Sequence, residues 1–480
     1  MSEPSLKEKT AKGLLWGGIN NGLQQLLNLT FGIILNRILG VEDFGIIGML
    51  AIFTLIAGSI QESGFTSALV NKQNATHKDY NAVFWFSTLM GATMYILLFF
   101  SAPLIADFYH KPELIPLARF VFLGFLISSS ATAHNAAMFK NLKVKQKAIV
   151  QVTALTISGI TGIALALNGM GYWGLATQSL VYILIIALGY WYFSPWHPTL
   201  HIDFRPLKGM FGFSSKILIT KICTQINNNI FSVILGRLFS DLEVGYYIQA
   251  NKWTYMGHSL ITEMVNGVAQ PILAEVSDTP ERQRNIFRKM LRFTAFISFP
   301  AMFGLALIAR ELIVISVTDK WSGSIPILQL LCIWGAFIPI QSLYSNLIIS
   351  KGKSNLYMWN TLLLGVLQIM VILLSYPYGI QTMIMASVAI NLCWMLVWQY
   401  FAWQLIRLSL WNALKDIVPF AGCAAGTIIA TYYITRSIEN IYLIFAAKLI
   451  IAVALYTLLM WCSNSVVFKE SLQYLRKKRK

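Results

Sequence analysis

Residues 210–245 read MFGFSSKILITKICTQINNNIFSVILGRLFSDLEVG, a run apolar enough to cross a membrane that nevertheless carries Lys216, Lys221, Gln225, Asn227, Asn228 and Asn229. Placing one Lys or Arg at the centre of a spanning helix costs about 2.5–3.5 kcal/mol on insertion scales, so such residues face a bundle interior or a water-filled cavity. On a helix, Lys221, Gln225, Asn228 and Ser232 fall at i, i+4, i+7 and i+11, which is one face. That face is the leading candidate for a substrate path.

The same stretch repeats the beginning of the chain at a constant offset of 200 residues. Ile19, Gln25, Asn28, Phe31, Ile34, Leu35, Arg37 and Gly45 recur without a gap as Ile219, Gln225, Asn228, Phe231, Ile234, Leu235, Arg237 and Gly245. Asn21, Gln25 and Asn28 occupy the columns of Lys221, Gln225 and Asn228. The two polar faces therefore correspond, and the chain reads as two homologous halves.

Composition places those halves in a membrane. The 480 residues are 56% hydrophobic and 12% charged, with mean hydropathy +0.61, whereas soluble domains carry about 25% charged residues. Residues 1–13 lack the short apolar core and small-residue cleavage site of a secretory leader, so the first apolar run is expected to remain as a span. A net charge of +17 raises nucleic acid as a partner, but the basic residues sit in short loops and a tail between apolar runs, which speaks for topology and against that partner. Cys223, Cys332, Cys393, Cys423 and Cys462 are scattered within apolar runs, with no C-x-x-C spacing, so neither a disulfide framework nor a metal site is expected. No cofactor is implied.

Runs of about 20 residues, the length that crosses the hydrocarbon core, fall at 13–38, 44–61, 81–105, 114–138, 148–168 and 172–193, then at 209–235, 244–268, 291–313, 325–349, 357–376 and 380–403. An extra pair follows at 412–435 and 441–462. The expected fold is all-α: about fourteen transmembrane helices, as an N-terminal six-helix repeat (1–200), a C-terminal six-helix repeat (201–408) and two extra helices with a basic tail (409–480). One set of alternate loops carries nearly all the Lys and Arg, whereas the other carries only Arg37, Lys111, Arg237, Arg310, Lys320 and Arg436. Both termini are therefore expected in the cytoplasm. Six spans per half make the repeats parallel, related by an axis along the membrane normal. Thr76-His77-Lys78-Asp79 has capping-box spacing, and Thr279-Pro280 puts Pro at a first helical position.

Ordered motifs then bring in a family. Gly64-Phe-Thr-Ser-Ala-Leu-Val-Asn-Lys-Gln, Tyr80 with Phe84-Trp-Phe, Ala106-Asp-Phe-Tyr, Leu235-Gly-Arg-Leu, Val244-Gly-Tyr-Tyr, Thr279-Pro-Glu-Arg, Phe299-Pro-Ala-Met-Phe-Gly and Lys320-Trp resemble Wzx-type oligosaccharide flippases over roughly residues 1–410. The resemblance implies a V-shaped bundle of the multidrug/oligosaccharidyl-lipid/polysaccharide exporter superfamily. It also implies transfer of undecaprenyl-pyrophosphate-linked oligosaccharide across the bacterial inner membrane, with polysaccharide polymerase machinery as a further partner. The same superfamily also holds peptidoglycan lipid-precursor flippases and cationic-drug exporters. A membrane glycosyltransferase or ligase would need catalytic groups on substantial extramembrane segments, which these short loops do not supply, so no enzyme is expected.

Fixed cations and amides in a wet cavity would lower the barrier for a pyrophosphate and sugars. The substrate-binding candidates are Asn21, Gln25, Asn28, Lys221, Gln225, Asn228 and Lys252; their alternative is interhelical hydrogen-bond glue or snorkelling. Glu62 and Glu263, at the ends of second helices, are candidate ion-coupling groups, the alternative being ion pairs with basic loops. Lys216 and Arg119 lie near span ends, Lys448 lies in the extra pair, and His258 reads as a satisfied buried histidine.

Overall fold

The apolar runs fold as helices because only a helix, or a closed barrel, satisfies every backbone N–H and C=O inside hydrocarbon. The computed structural model describes residues 6–62, 65–72, 75–141, 143–208, 218, 222, 225, 226, 229–463 and 467–470, without the side chains of 6–19, 61, 62, 67, 70, 71 and 354. Among the described residues there is no strand. The chain divides into two compact units, Met1–Gly245 and Tyr246–Lys480.

The first unit holds α1 (Leu6–Ile38), α2 (Val41–Glu62), α3 (Phe65–Asn71), α4 (His77–Tyr109), α5 (Leu114–Ser129), α6 (Thr132–Lys140), α7 (Val144–Leu167) and α8 (Tyr172–Phe193). It also holds α9 (Asn229–Leu238) and the first turn of α10 (Asp241–Glu275). The second unit holds the rest of α10, then α11 (Pro280–Leu307), α12 (Ala309–Val317), α13 (Ser324–Gly335), α14 (Ile338–Ser350), α15 (Ser354–Ser375), α16 (Ile380–Ile406), α17 (Leu410–Thr435) and α18 (Ile441–Cys462). Among the described residues ten helices are long and apolar enough to cross a membrane, eleven if α5 and α6, bent by 44° at their junction, form one span. The protein is thus a multi-pass membrane protein. The expected spans outside that count are 13–38, within α1, 244–268, within α10, and 209–235, most of which lies outside the described residues.

In the first unit α7 packs on α1 and α8, and α5 on α4 and α8. One end is closed by the chain after α8. The Asn81 amide donates to His201 O at 2.5 Å and accepts from Thr199 N at 2.9 Å, and Trp85 Nε1 donates to Thr199 O at 2.8 Å. Phe65, Leu69, Val83, Phe84 and Trp196 form the core beneath them. Asp79 fixes the start of α4: its Oδ2 accepts from Thr76 N at 2.8 Å, and its Oδ1 from Lys72 Nζ at 2.8 Å. At the other end the first turns of α2 and α10 cross in contact. A Cβ on Gly45 would lie 2.2 Å from Asp241 O, and one on Gly245 2.3 Å from Val41 O. Lys111 Nζ reaches Asp241 Oδ2 beside this crossing.

Among the described residues three spans are broken, and each break is repaired alike. At α5/α6, Trp191 Nε1 donates to Ser130 O at 3.0 Å. At α13/α14, Ser298 Oγ donates to Ala336 O at 2.8 Å. At α11/α12, Lys448 Nζ donates to Leu307 O at 3.1 Å and to Glu311 Oε1 at 2.7 Å. In every case the receiving carbonyl belongs to the residue just before the N-cap of the outgoing helix.

Removing one donor strands a buried acceptor, at about 1–3 kcal/mol. Ser298→Ala is therefore expected to lower the thermal unfolding midpoint of the detergent-solubilised protein. Lys448→Met is expected to cost more, about 3–5 kcal/mol, because it also leaves the Glu311 charge buried without a counter-ion. Adding Glu311→Leu to Lys448→Met should recover most of that loss; a double variant no more stable than the single would show that the pair is not the source.

Candidate functional site

The polar residues of α1 divide into two stripes with different fates. Asn20 Nδ2 donates to Gln151 Oε1 on α7 at 2.9 Å, and Gln24 Nε2 donates to the same oxygen at 3.2 Å. These two, one turn apart, fasten α1 to α7. Asn21, Gln25 and Asn28 lie one residue on, about 100° further around the helix, and all three are exposed. They make no hydrogen bond among the described residues. Unsatisfied amides in hydrocarbon each cost several kcal/mol, so a stripe of three on a membrane-length helix is stable only against water or a polar ligand.

Elsewhere the expected residues are placed unevenly. Lys221 and Asn228 lie outside the described residues, as do Lys216 and the Glu62 side chain. Gln225 is half-buried and accepts, at its backbone carbonyl, the Asn229 amide at 2.9 Å. On α10, Lys252 is half-buried and has no hydrogen-bond or ion-pair partner among the described residues. Glu263 is exposed and likewise makes no ion pair among them, although Ser259, on the same expected face, is buried. His258 is buried, with Nδ1 3.3 Å from Thr262 Oγ1. Arg119 lies over the Phe99 ring at 4.2 Å from its centroid and donates to Phe99 O at 3.4 Å.

Two polar features went unread in the sequence. Glu311 is the buried partner of Lys448, their side chains 5% and 7% exposed. The two residues are 137 apart in sequence, and no periodicity links them. Asp416 on α17 is equally buried and accepts from Arg288 Nε at 2.6 Å and Nη2 at 3.1 Å on α11. Both basic partners are therefore structural, and neither is available to a ligand.

Broken and unbroken apolar helices in both units, with an open amide stripe on α1 of the first, define a polytopic membrane protein. Its fold matches that of a lipid II flippase, MurJ, in an inward closed conformation, with TM-score 0.77 at 15% identity over 96% of this chain and 100% of that one. It also matches an inward-facing MATE-family multidrug transporter, with TM-score 0.65 at 16% identity over 80% and 94%. The family model described as "Polysaccharide biosynthesis protein" matches residues 34–326, and the chain belongs to that family. Similar proteins include the lipopolysaccharide biosynthesis protein WzxC of Escherichia coli strain K12, 23% identical over 73% of this chain and 71% of that protein. The teichuronic acid biosynthesis protein TuaB of Bacillus subtilis strain 168 is 25% identical over 94% of each.

The two stripes on α1 should answer differently to substitution. Asn20→Leu or Gln24→Leu should lower unfolding stability by about 0.6 to 1.7 kcal/mol, the range of interhelical hydrogen bonds in membranes. Asn21→Leu, Gln25→Leu and Asn28→Leu should leave the unfolding midpoint unchanged or raise it. Equal destabilisation by both sets in a thermal scan would remove the distinction.

Proposed function

We propose that the protein flips an undecaprenyl-pyrophosphate-linked oligosaccharide from the cytoplasmic to the periplasmic leaflet of the bacterial inner membrane, by alternating access, for O-antigen, capsule or exopolysaccharide synthesis. The observation that carries this reading is the amide stripe Asn21–Gln25–Asn28 on α1, exposed and without a hydrogen-bond partner among the described residues, in a chain of the polysaccharide biosynthesis family. Amides suit sugar hydroxyls, since each offers both donors and an acceptor. Lys252, half-buried without a counter-ion among the described residues, and Lys221 in the second copy of the stripe suit the pyrophosphate as point charges. Gln225 and Asn228 complete the second stripe. The α1 stripe contains no carboxylate, which argues against a cationic-drug cargo. Flipping breaks no covalent bond, so the reading needs no catalytic group or cofactor.

The topology that goes with this reading has fourteen spans: two parallel six-helix repeats, 1–200 and 201–408, plus the pair in 409–480, with both termini in the cytoplasm. The reciprocal seating of Gly45 on Asp241 and Gly245 on Val41, positions related by the offset of 200, supports the repeat. The side-chain repair of both fourth spans, at Ser130 and at Ala336, supports it as well. The loop distribution of Lys and Arg supports the orientation. Glu263 and Glu62 are the candidate ion-coupling groups of this reading; Glu263 is exposed and without an ion pair among the described residues, and the Glu62 side chain lies outside them.

The test is transfer of a fluorescent undecaprenyl-pyrophosphate oligosaccharide between leaflets of proteoliposomes. Removing one charge-assisted contact forfeits about 1.5–3 kcal/mol, so Lys252→Met and Lys221→Met should each slow transfer by about tenfold or more. The Asn21→Leu/Gln25→Leu/Asn28→Leu triple variant should abolish it while remaining folded. Transfer of the peptidoglycan lipid precursor at an equal or higher rate would shift the cargo; transfer indifferent to every variant would move the site away from these residues.

A further inference from the structure

The first unit contains two adjoining open cavities that the α1 stripe does not account for. One, of about 340 Å³, has Thr66, Thr132, Asn135, Gln151, Tyr182 and Tyr190 in its wall. The other, also of about 340 Å³, is walled mainly by apolar groups such as Leu50, Val121, Phe125 and Leu180. Gly58, Ser128 and Ile183 line both. Each volume falls within the range of ligand-binding sites.

The polar groups of the first cavity are turned in one sense. Lys147 Nζ donates to Asn135 Oδ1 at 2.8 Å, so the Asn135 acceptor is taken while its N–H2 has no acceptor among the described residues. Gln151 Oε1 is occupied by Asn20 and Gln24, and its side chain is also hydrogen-bonded to Tyr190, so Gln151 belongs to the wall and not to the free donors. The Thr132 and Tyr182 hydroxyls make no hydrogen bond among the described residues, and Thr66 Oγ1 is buried without a partner. Among the described residues no Asp or Glu lines either cavity. Behind the wall the Lys147 ammonium sits over the Tyr190 and Phe139 rings, 5.7 and 5.2 Å from their centroids, with no carboxylate partner among the described residues. Free N–H and O–H donors backed by an unneutralised cation recognise an oxyanion. The apolar cavity that shares the wall has no use for one and suits hydrocarbon.

We propose that this pair of cavities binds one phosphate-bearing lipid, its phosphate held by Asn135 and Tyr182 and part of its hydrocarbon in the apolar cavity. The polar cavity lies at the end of the unit where α7 begins and α8 ends, so the ligand is oriented head to that end and tail inward. Lys147 is a positioning residue: it fixes which way the Asn135 amide points. The lipid site does not depend on what the α1 stripe carries, and direct binding reads it without any transport assay.

The full-length protein in detergent is titrated with dioleoyl phosphatidic acid, with dioleoylglycerol, which has the same chains and no phosphate, and with glycerol 3-phosphate, which has the phosphate and no chains. Native mass spectrometry reads the bound species. Phosphatidic acid should bind at least tenfold more tightly than dioleoylglycerol, and glycerol 3-phosphate should not displace it at equal concentration. Asn135→Leu and Tyr182→Phe should each weaken phosphatidic acid by about tenfold, the latter removing one oxygen from an otherwise intact ring. Gly58→Val should block the shared wall, because a Cβ there meets only Phe125 Cε1 at 4.0 Å and so enters the cavity without displacing backbone. Equal binding of the two lipids, or binding unmoved by both Asn135→Leu and Tyr182→Phe, would overturn the proposal in favour of lipid held on the outer surface. Displacement by glycerol 3-phosphate at equal concentration would overturn it in favour of a free-phosphate site.

Discussion

A carbonyl that leaves its helix inside hydrocarbon must find another donor, and the architecture of both units is arranged around meeting that demand. Helices interrupted in mid-membrane are useful, since they bend and present polar backbone, but every interruption frees acceptors worth several kcal/mol if left bare. Here the acceptor is the carbonyl before the second N-cap, and its donor comes from another helix: the Trp191 indole, the Ser298 hydroxyl or the Lys448 ammonium. The turn between α16 and α17 obeys the same rule, with Gln399 Nε2 donating to Leu408 O at 2.8 Å. Each break therefore fixes its neighbour's position and rotation, since the donor must point at one oxygen. The bend in α5/α6 is as much a property of α8 as of its own sequence.

The same accounting separates structural polarity from functional polarity. An amide used to join helices has its acceptor filled, as Gln151 has, and is spent. An amide on the adjacent stripe, as Gln25 is, keeps both donors and its acceptor for whatever occupies the space it faces. Charge sorts in the same way. Lys448 and Arg288 are consumed by Glu311 and Asp416, while Lys252 and Lys147 meet no carboxylate among the described residues. The net charge of +17 thus leaves uncompensated cations where an anionic lipid headgroup or pyrophosphate is the natural counterpart.

Much of this was legible in the chain and some was not, for physical reasons. Span positions were readable because about 20 apolar residues in a row have few other uses, and the starts of α4 and α11 because Asp79 and Pro280 sit at capping positions. The open stripe was readable only in part. Asn20 with Gln24 and Asn21 with Gln25 have identical i, i+4 spacing, so periodicity cannot say which stripe meets α7; only the placement of Gln151 decides it. Glu311 went unread, since nothing local marks its distant partner on α18. Lys147 looked like one more basic loop residue, but it lies within α7 and turns its ammonium on Asn135.

The status of the last two helices follows from charge. A helix pair appended to a bundle could lie against it by apolar contact alone, free to slide, because lipid tails are as apolar as its own side chains. Here Arg288 of α11 forks onto Asp416 near the start of α17, Lys448 of α18 grips Glu311 of α12, and Tyr456 further along α18 donates to Phe296 O at 2.9 Å. Buried ion pairs add little net stability, since desolvation offsets much of the attraction. They do penalise every register but one, because a slip of a single turn leaves a bare charge in hydrocarbon. The pair α17–α18 is therefore locked to α11 and α12 in one alignment, and any motion of those helices carries it along as part of the second unit.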